Sequence, residues 1–474
     1  MAKSKDQLTL FVGQVGGHLN LLGEWLRTES LTKCCAHPLK PPPNSKDTFS
    51  MQSLHTPSDL SVMFDDDHAV ANAGLVLAGL LSEKLGLEQL CDETISIAPF
   101  PGRRCATLVH SLVVGGTCID DADVLRSGST SSVLSHRVMA PSTLGTFLRG
   151  FTFGHVRQLD RVSETLMTRA WSLGAGPGDT PMTIDVDSTI CEVHGTHKQG
   201  ASYGYTKVLG YHPVMATRAE TGEVLHLRFR KGSANTQRGA QRFVRETVGR
   251  VRRAGASGLL TLRCDSGFFS KYVVLACRDH DVRYSITVRQ TPVIQRAFEL
   301  IAEESWTPID YTMNGEAWVG ETDYQGQRLI VRRTKLHEPR PALFPDYRYH
   351  AFVTDRDGDA VALDVDHRRH AVVELAIRDL KEGSGLEHCP SGDFNANAAW
   401  AGLASIAHNL VRWVAALGLN VTGPLVVKTV RRKFITVPGR LTNHSRVRQL
   451  HLPTNWPWAA QWSQCFARLV KLQT

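Results

Sequence analysis

Thr183-Ile-Asp-Val-Asp-Ser-Thr189 is the stretch of sequence that decides the fold. Its residues alternate, with Asp185 and Asp187 on one side and aliphatic side chains on the other, which is the two-residue period of a β-strand. A second stretch, Leu259-Leu-Thr-Leu-Arg-Cys-Asp265, is also apolar and also ends in an aspartate. Unpaired carboxylates at the end of a buried strand are costly. The two endings therefore predict that a cation is bound there.

A third acidic residue, Glu374, lies in a helical pattern further along the chain. Arg378 follows four residues later and Lys381 seven residues later, so the three side chains share one helix face. His367 and His370 extend that face towards the start of the helix. Two aspartates and a glutamate offer the hard oxygen ligands that divalent metal ions prefer. The alternative at this point is an exposed helix with i,i+4 ion pairs.

Length and composition predict a multidomain globular protein with one basic region. The chain has 474 residues, of which 42% are hydrophobic, and a net charge of +8. This length exceeds one ordinary core, so two to four domains are expected. Residues 203–253 contain eleven Lys or Arg against three Glu, and 11 − 3 = +8 accounts for the whole excess. Such a block favours a polyanionic partner over a merely solvated helix face.

The ten cysteines and the hydrophobic runs predict a cytoplasmic location. No two cysteines form a CxxC pair, and several lie in apolar runs, as reduced core cysteines do. The sequence contains no run of 18 apolar residues, and its start lacks the pattern of a signal peptide. We therefore expect neither a disulfide framework nor contact with a membrane.

The order of predicted elements divides the chain into four parts. Residues 1–50 are expected to be a loosely ordered leader, because a cysteine pair and a triple proline interrupt any periodicity. Residues 51–175 are predicted to be helical, and either bind DNA or only support the catalytic part. Residues 181–290 and 350–474 would form the catalytic domain. The turn-rich strands within 291–349 would form an inserted, β-rich subdomain.

The catalytic part is predicted to be an α/β domain. Strand patterns at 183–189, Tyr205–Ala216 and Val224–Phe229 precede a basic helix, the strand 259–265, a further helix and the strand Val282–Val288. Three antiparallel strands followed by βα units indicate a mixed sheet with helices on both faces.

With these motifs in view, the sequence resembles the DDE-type transposases of bacterial insertion sequences, closest to the IS-thirteen-eighty group. The resemblance covers about residues 51–474. The motifs that carry it are Ala140-Pro-Ser-Thr-Leu-Gly-Thr-Phe-Leu-Arg149, Phe151-Thr-Phe-Gly-His-Val-Arg-Gln-Leu159, Ile184-Asp-Val-Asp-Ser-Thr189, His197-Lys-Gln-Gly200, Arg263-Cys-Asp-Ser-Gly267, Glu374-Leu-Ala-Ile-Arg-Asp-Leu-Lys381 and Ala407-His-Asn-Leu410.

The resemblance implies an RNase H-like catalytic domain split by a β insertion. It implies that Asp187, Asp265 and Glu374 are the catalytic, metal-binding triad, and that Lys381 with Arg378 contacts the transferred strand or its flank. Related enzymes often carry Tyr and Arg seven and four residues before the glutamate, where this chain has His367 and His370. Asp185 is interpreted as a residue behind the ligands, although it could replace Asp187 in the triad.

The function that follows is a DNA transposase that cuts and joins the terminal inverted repeats of its element and inserts them into target DNA. Two Mg²⁺ ions, for which Mn²⁺ can substitute, would serve the phosphodiester chemistry. A homo-oligomer would hold the DNA ends in a synaptic complex. The block 203–253, with Lys207, Arg230 and Lys231, and the helical region would bind DNA. The alternatives are a nuclease of the same fold without strand transfer, and a DNA-binding remnant that no longer cleaves.

Two further clusters each allow a second interpretation. Cys191, His194 and His197 have a spacing that suggests zinc, but no fourth ligand is in view. Trp456, Trp458 and Trp462 either stack on bases or form a packing patch at the C-terminus, and the patch is favoured.

Overall fold

The structure is a computed structural model that describes residues 57–473 except for 205, 313–314, 337–346, 422 and 446. The predicted leader, residues 1–50, lies outside the described residues.

A helical region precedes the sheet. The motif at 140–149 begins a helix at Pro141, as its sequence predicts, because proline at the first helical position has no N–H to satisfy. Thr152 caps the next helix by accepting a hydrogen bond from the backbone N–H of His155. The elements of this region are β1 (Ala69–Val70), α1 (Leu75–Lys84), α2 (Leu87–Thr94), α3 (Pro101–Val114), α4 (Pro141–Arg149) and α5 (Phe153–Ala170).

A nine-stranded mixed sheet forms the centre of the protein. The strands that follow α5 are β2 (Met182–Ser188), β3 (Cys191–Glu192), β4 (Ser202–Tyr203), β5 (Leu209–Tyr211), β6 (Val214–Arg218), β7 (Val224–Arg228), β8 (Leu260–Cys264), β9 (Val282–Thr287), β10 (Thr307–Ile309), β11 (Gly315–Tyr324), β12 (Gln327–Leu336) and β13 (Tyr347–Thr354). The sheet order is β10-β11-β12-β13-β9-β8-β2-β6-β7. Strands β2, β8 and β9 are parallel, whereas β6 runs antiparallel to β2 and β7 runs antiparallel to β6. The predicted mixed sheet is thereby confirmed.

The predicted strand Tyr205–Ala216 is wrong as one element. It divides at Pro213 into β5, which pairs with β3 and β4 in a small separate sheet, and β6, which pairs with β2. Proline has no N–H to donate to a ladder, so it marks the point where the chain changes sheets.

The strands of the segment 291–349 extend the central sheet. Strand β13 pairs with β9, and β12, β11 and β10 follow as antiparallel neighbours. The segment therefore contributes strands to the same sheet that carries the two aspartates. The domain boundaries themselves stay a prediction.

Helices cover the sheet, and the chain ends in a hairpin and a helix. The remaining elements are α6 (Ala240–Arg253), α7 (Lys271–Asp279), α8 (Pro292–Glu299), α9 (Ala360–Arg368), α10 (Val372–Arg378), α11 (Phe394–Trp413), α12 (Val427–Val430), β14 (Gly439–His444), β15 (Val447–His451) and α13 (Ala459–Lys471). Among the described residues, one helical segment, Phe394–Leu419, is long and apolar enough to cross a membrane by length and composition, but 78% of its most apolar window is buried inside the protein. This segment is therefore a helix of the protein core.

Candidate active site at the ends of two parallel strands

The register between β2 and β8 brings two of the predicted acids together. Asp185 lies opposite Arg263, and Val186 lies opposite Cys264. Asp187 is the next residue of β2, and Asp265 directly follows the last residue of β8. The two carboxylates therefore lie near each other where the paired strands end, and the charge of Asp265 acts on Asp187.

A buried ion pair fixes this register. Arg263 donates from Nε to one carboxylate oxygen of Asp185 at 2.7 Å and from Nη2 to the other at 2.8 Å. Asp185 is fully buried and Arg263 is nearly so. Arg263 and hydrogen bonding from His370 lower the pKa of Asp185 despite its burial, which by itself raises the pKa. Both oxygens of Asp185 are therefore engaged inside the protein, whereas Asp187 lines an open pocket.

The predicted helix Asp366–Glu382 is interrupted by a 3₁₀ turn at Arg369–Ala371, and its two histidines contact different strands. Helix α9 ends at Arg368 and α10 begins at Val372. His367 is buried between two strand hydroxyls, with Nδ1 2.7 Å from Ser285 Oγ and Nε2 2.9 Å from Thr287 Oγ1. The expectation that His367 extends the Glu374 face is therefore wrong.

His370 joins the helix to the strand ends. Its Nδ1 donates to Asp185 Oδ1 at 3.0 Å, while its buried Nε2 has no hydrogen-bond partner. The bond to Asp185 and the charges of Asp185 and Asp187 raise the pKa of His370, although burial opposes this. In turn, His370 acts to lower the pKa of Asp187.

Glu374 is brought to the same place by α10. Glu374 and Asp187 line one pocket of about 310 Å³ at the end of β2, and Arg378 and Lys381 line it too. Lys381 donates to the backbone oxygen of Ile190 at 3.1 Å, which ties the end of the helix to the loop after β2. The pocket lining thus combines carboxylate groups with cationic side chains.

The negative charge at this site is not fully compensated. Burial is the main cause that raises the pKa of Asp187 to about 7, and the charges of Asp265 and Glu374 contribute in the same direction, whereas His370 opposes the rise. Burial also raises the pKa of Asp265. Carboxylates that share a site disfavour each other's ionised form, so these shifts show that the three acids interact.

Short backbone hydrogen bonds hold the two aspartates. Asp187 Oδ1 accepts from the Ser188 N–H at 2.6 Å, and Asp265 Oδ1 accepts from the Gly267 N–H at 3.0 Å. A Cβ atom at Gly267 would lie 2.9 Å from Thr236 and 3.1 Å from Asp265 Oδ1, so only glycine fits this turn. Among the described residues, no three His, Cys, Asp or Glu side chains form a preformed metal-binding cluster.

The remaining predicted DNA contacts lie outside this pocket. Lys207 and Lys231 are exposed. Arg230 is half-buried and donates to the backbone oxygens of His212, Asn235 and Thr236, and burial lowers its pKa to about 10. Arg230 therefore also braces the loop that follows β7.

Part of the basic block is neutralised within the protein. Arg250 pairs with Asp160 at 2.7 Å and Arg253 pairs with Glu164 at 2.6 Å, both across the contact between α6 and α5. These arginines attach the helical region to the sheet domain. The charge of residues 203–253 thus has a structural use beside the predicted binding of a polyanion.

The two alternative clusters are also placed by the structure. Cys191 is buried against Cys389, whereas His194 and His197 are exposed. Trp456 and Trp462 donate their indole N–H groups to the backbone oxygens of Lys433 and Phe434. These bonds support the interpretation of the tryptophans as a packing patch.

Sequence reasoning named Arg263 within a motif and His370 on the Glu374 helix, but it missed the contacts of both residues with Asp185. Arg263 stands two residues before Asp265, the same spacing that separates Asp185 from Asp187. This matching spacing on two neighbouring parallel strands is a signal for an ion pair. No comparable signal marks the contact of His370 with Asp185, because that contact depends on the 3₁₀ turn between α9 and α10.

Comparisons with known proteins gave a family match and a similar solved structure. A family model described as transposase DDE domain group 1 matches residues 52–474. Among solved structures, the chain is similar to a piggyBac transposase, determined by cryo-EM as a synaptic complex with hairpin DNA, at 13% identity. That match covers 77% of this chain and 79% of the other, with a TM-score of 0.41. A search of curated proteins found no match.

Replacing Arg263 by methionine should destabilise the protein strongly. The substitution leaves the Asp185 carboxylate buried without its main partner, and breaking a buried pair typically costs about 3–5 kcal/mol. Urea unfolding followed by circular dichroism measures the change. Arg245→Met is the matched control, because Arg245 and its partner Asp279 are both about half exposed. Such exposed pairs contribute at most about 1 kcal/mol to stability. Equal losses in the two variants would contradict the assigned role.

Asp187→Asn should stabilise the protein in the absence of metal ions, and more so at pH 8 than at pH 5. The folded-state pKa of about 7 exceeds the unfolded value of about 3.9. The folded state therefore retains a proton that the unfolded state loses, and this carboxyl makes stability fall as pH rises towards 7. Each pKa unit corresponds to about 1.4 kcal/mol, so a gain of at least about 1 kcal/mol is expected at pH 8.

Chemical unfolding in EDTA at both pH values tests this expectation. Asp357→Asn is the control, because that side chain is 98% exposed and its removal should leave the pH profile unchanged. Parallel profiles for wild type and Asp187→Asn would show that the Asp187 carboxylate is not strained.

Proposed function

Because this chain belongs to the transposase family with a DDE domain of group 1, it is a DNA transposase, and we propose that its triad is Asp187, Asp265 and Glu374. The observation that carries this proposal is the effect of the charges of Asp265 and Glu374 on Asp187, together with the pocket that Asp187 and Glu374 line. The burial of Asp185 against Arg263 supports leaving Asp185 out of the triad.

The three acids fit a site for divalent metal ions. Enzymes of this family use such ions, and the donor set consists of hard carboxylate oxygens. Burial first, and then the charges of Asp265 and Glu374, raise the pKa of Asp187, and a bound cation would favour its ionised form. We propose two Mg²⁺ ions, with Mn²⁺ as a substitute. Bound there, they would supply an activated water or hydroxyl and stabilise the leaving oxygen of a phosphodiester.

The chain itself supplies the positioning and the positive charge around the acids. Arg263 and His370 both bind Asp185. These contacts fix the end of β2 relative to β8 and to the start of α10. Arg378 and Lys381 line the pocket beside Glu374, where they would bind the phosphates flanking the scissile bond. Lys207, Arg230 and Lys231 would extend this contact along the DNA.

The substrate and the assembly follow from the family resemblance. We propose that the protein belongs to the IS-thirteen-eighty group, cuts at the terminal inverted repeats of its element and joins the freed 3′-hydroxyl to target DNA. A homo-oligomer would pair the two ends, and the helical region 51–175 would contribute to end binding. The eight cysteines among the described residues are free, which supports the proposed cytoplasmic location.

Asp187→Asn, Asp265→Asn and Glu374→Gln should each abolish cleavage of DNA carrying the element end but leave DNA binding intact. Loss of one ligand removes several kcal/mol of transition-state stabilisation, which is about a thousandfold in rate. Cleavage is followed on labelled DNA with Mg²⁺ or Mn²⁺, and binding by fluorescence anisotropy in EDTA. Glu382→Gln is the matched control, since this carboxylate lines the same pocket but pairs with Lys428.

A near-wild-type rate in any of the three variants would remove that residue from the triad. A pre-cut element end separates the proposed transposase from a nuclease of the same fold, because only a transposase joins the end to target DNA. Hydrolysis without a joined product would favour the nuclease.

A further inference from the structure

A second cavity lies at the open edge of the central sheet. Strand β7 is the last strand of the sheet, and α5 and the first turns of α6 and α11 surround it. Between them is a cavity of about 250 Å³, here called the edge cavity, which shares no lining residue with the pocket of the acids. Its size is below the roughly 300–1,000 Å³ of drug-sized sites, so it suits one ring system.

One wall of the edge cavity is aromatic. Phe153, Phe229 and Phe394 line it, and the rings of Phe229 and Phe394 are 5.5 Å apart. Phe153 begins α5 and is 71% exposed, which is unusual for a large apolar side chain. Open aromatic faces are the surfaces on which unstacked bases pack in single-strand-binding proteins.

The opposite wall is positively charged. Glu246 accepts hydrogen bonds from Arg242 and Arg228, and Asp160 accepts them from Arg250 and Arg157. Arg250 also lies 3.8 Å from Glu164, so four cations share three carboxylates, and 4 − 3 leaves +1. Of these groups, Arg157, Arg228, Arg242 and Asp160 line the cavity itself. Burial lowers the pKa of Arg228, and the neighbouring guanidinium groups of Arg157 and Arg242 lower it further against Glu246. An anion in the cavity would relieve this crowding.

A buried histidine provides an unsatisfied polar atom at the same place. His226 lines the cavity and is 2% exposed. Thr247 Oγ1 donates its proton to the Phe243 oxygen, so it accepts from His226 Nδ1–H at 3.0 Å. Burial lowers the pKa of His226 well below its usual value. Its Nε2 has no hydrogen-bond partner, and it lies 3.8 Å from a carboxylate oxygen of Glu246 and 4.0 Å from one of Asp160. With Nδ1 as the donor to Thr247, Nε2 is an acceptor that faces two carboxylates, and a ligand with a donor group would satisfy it.

The first turn of α11 adds to the positive potential. Its N-cap residue, Asp393, makes no side-chain capping bond, and Asn395 in that turn lines the cavity. The N-terminus of a helix carries partial positive charge. The start of α11 therefore favours an anion in the cavity, as the arginines do.

We propose that the edge cavity holds one unstacked nucleotide of the bound DNA, with the base against the phenylalanines and its phosphate on the arginines. This inference rests on the proposed function only in that DNA is the substrate. The competing occupant, an apolar side chain from a second copy of the chain, would not use the excess positive charge or the His226 acceptor.

The test compares single-stranded and duplex DNA of one sequence, each 20 nucleotides long and labelled with fluorescein. Anisotropy titrations use the full chain in EDTA, so that no cleavage occurs. Phe153→Ala, an exposed position, should weaken binding of the single strand about tenfold and change duplex binding less than twofold. Arg242→Gln should reduce the slope of log affinity against log salt by about one.

Phe100→Ala is the control, because Phe100 is 58% exposed beside Arg103 but does not line the cavity. It should leave both affinities unchanged. Unchanged single-strand affinity in Phe153→Ala, or an equal loss on both probes, would overturn the proposal. So would a changed oligomeric state, measured by light scattering, with unchanged DNA affinity. Binding is measured in EDTA and does not depend on cleavage. The result therefore tests the edge cavity even if the assignment of the triad is wrong.

Discussion

The buried pair between Asp185 and Arg263 is the interaction on which the site depends. The two residues face each other across the parallel strands β2 and β8. Each is followed two positions later by an aspartate, so the pairing that satisfies the buried charges also sets Asp187 beside Asp265. A slip of the register would leave an unpaired charge inside the protein, which costs several kcal/mol. Structural need and catalytic geometry are thus met by one contact.

The acids that follow this pair, Asp187 and Asp265, lower the stability of the folded protein when they are ionised. Asp185 has its charges satisfied, whereas Asp187, two residues further, has a raised pKa because burial and its acidic neighbours disfavour ionisation. Natural proteins tolerate such local cost where it serves activity. His370 contacts both environments, since it donates a hydrogen bond to Asp185 and acts to lower the pKa of Asp187.

Much of this could be predicted from the sequence, and the failures have physical causes. The period-two strands at 183–189 and 259–265 gave the sheet, and the helical period around Glu374 gave the third acid. The 3₁₀ turn between α9 and α10 was missed because the helical periodicity continues across it, whereas His367 and His370 contact different strands. The edge cavity could not be foreseen, because Phe153, Phe229 and Phe394 come from three distant segments.

The most direct test of the central claim is a crystal of the protein grown with Mn²⁺ and DNA carrying the element end, with anomalous scattering recorded from the metal. The account predicts Mn²⁺ peaks coordinated by Asp187, Asp265 and Glu374, two of them about 3.5–4 Å apart, and none on Asp185. Peaks bound elsewhere, or a metal ligated by Asp185 with the Arg263 pair broken, would contradict it.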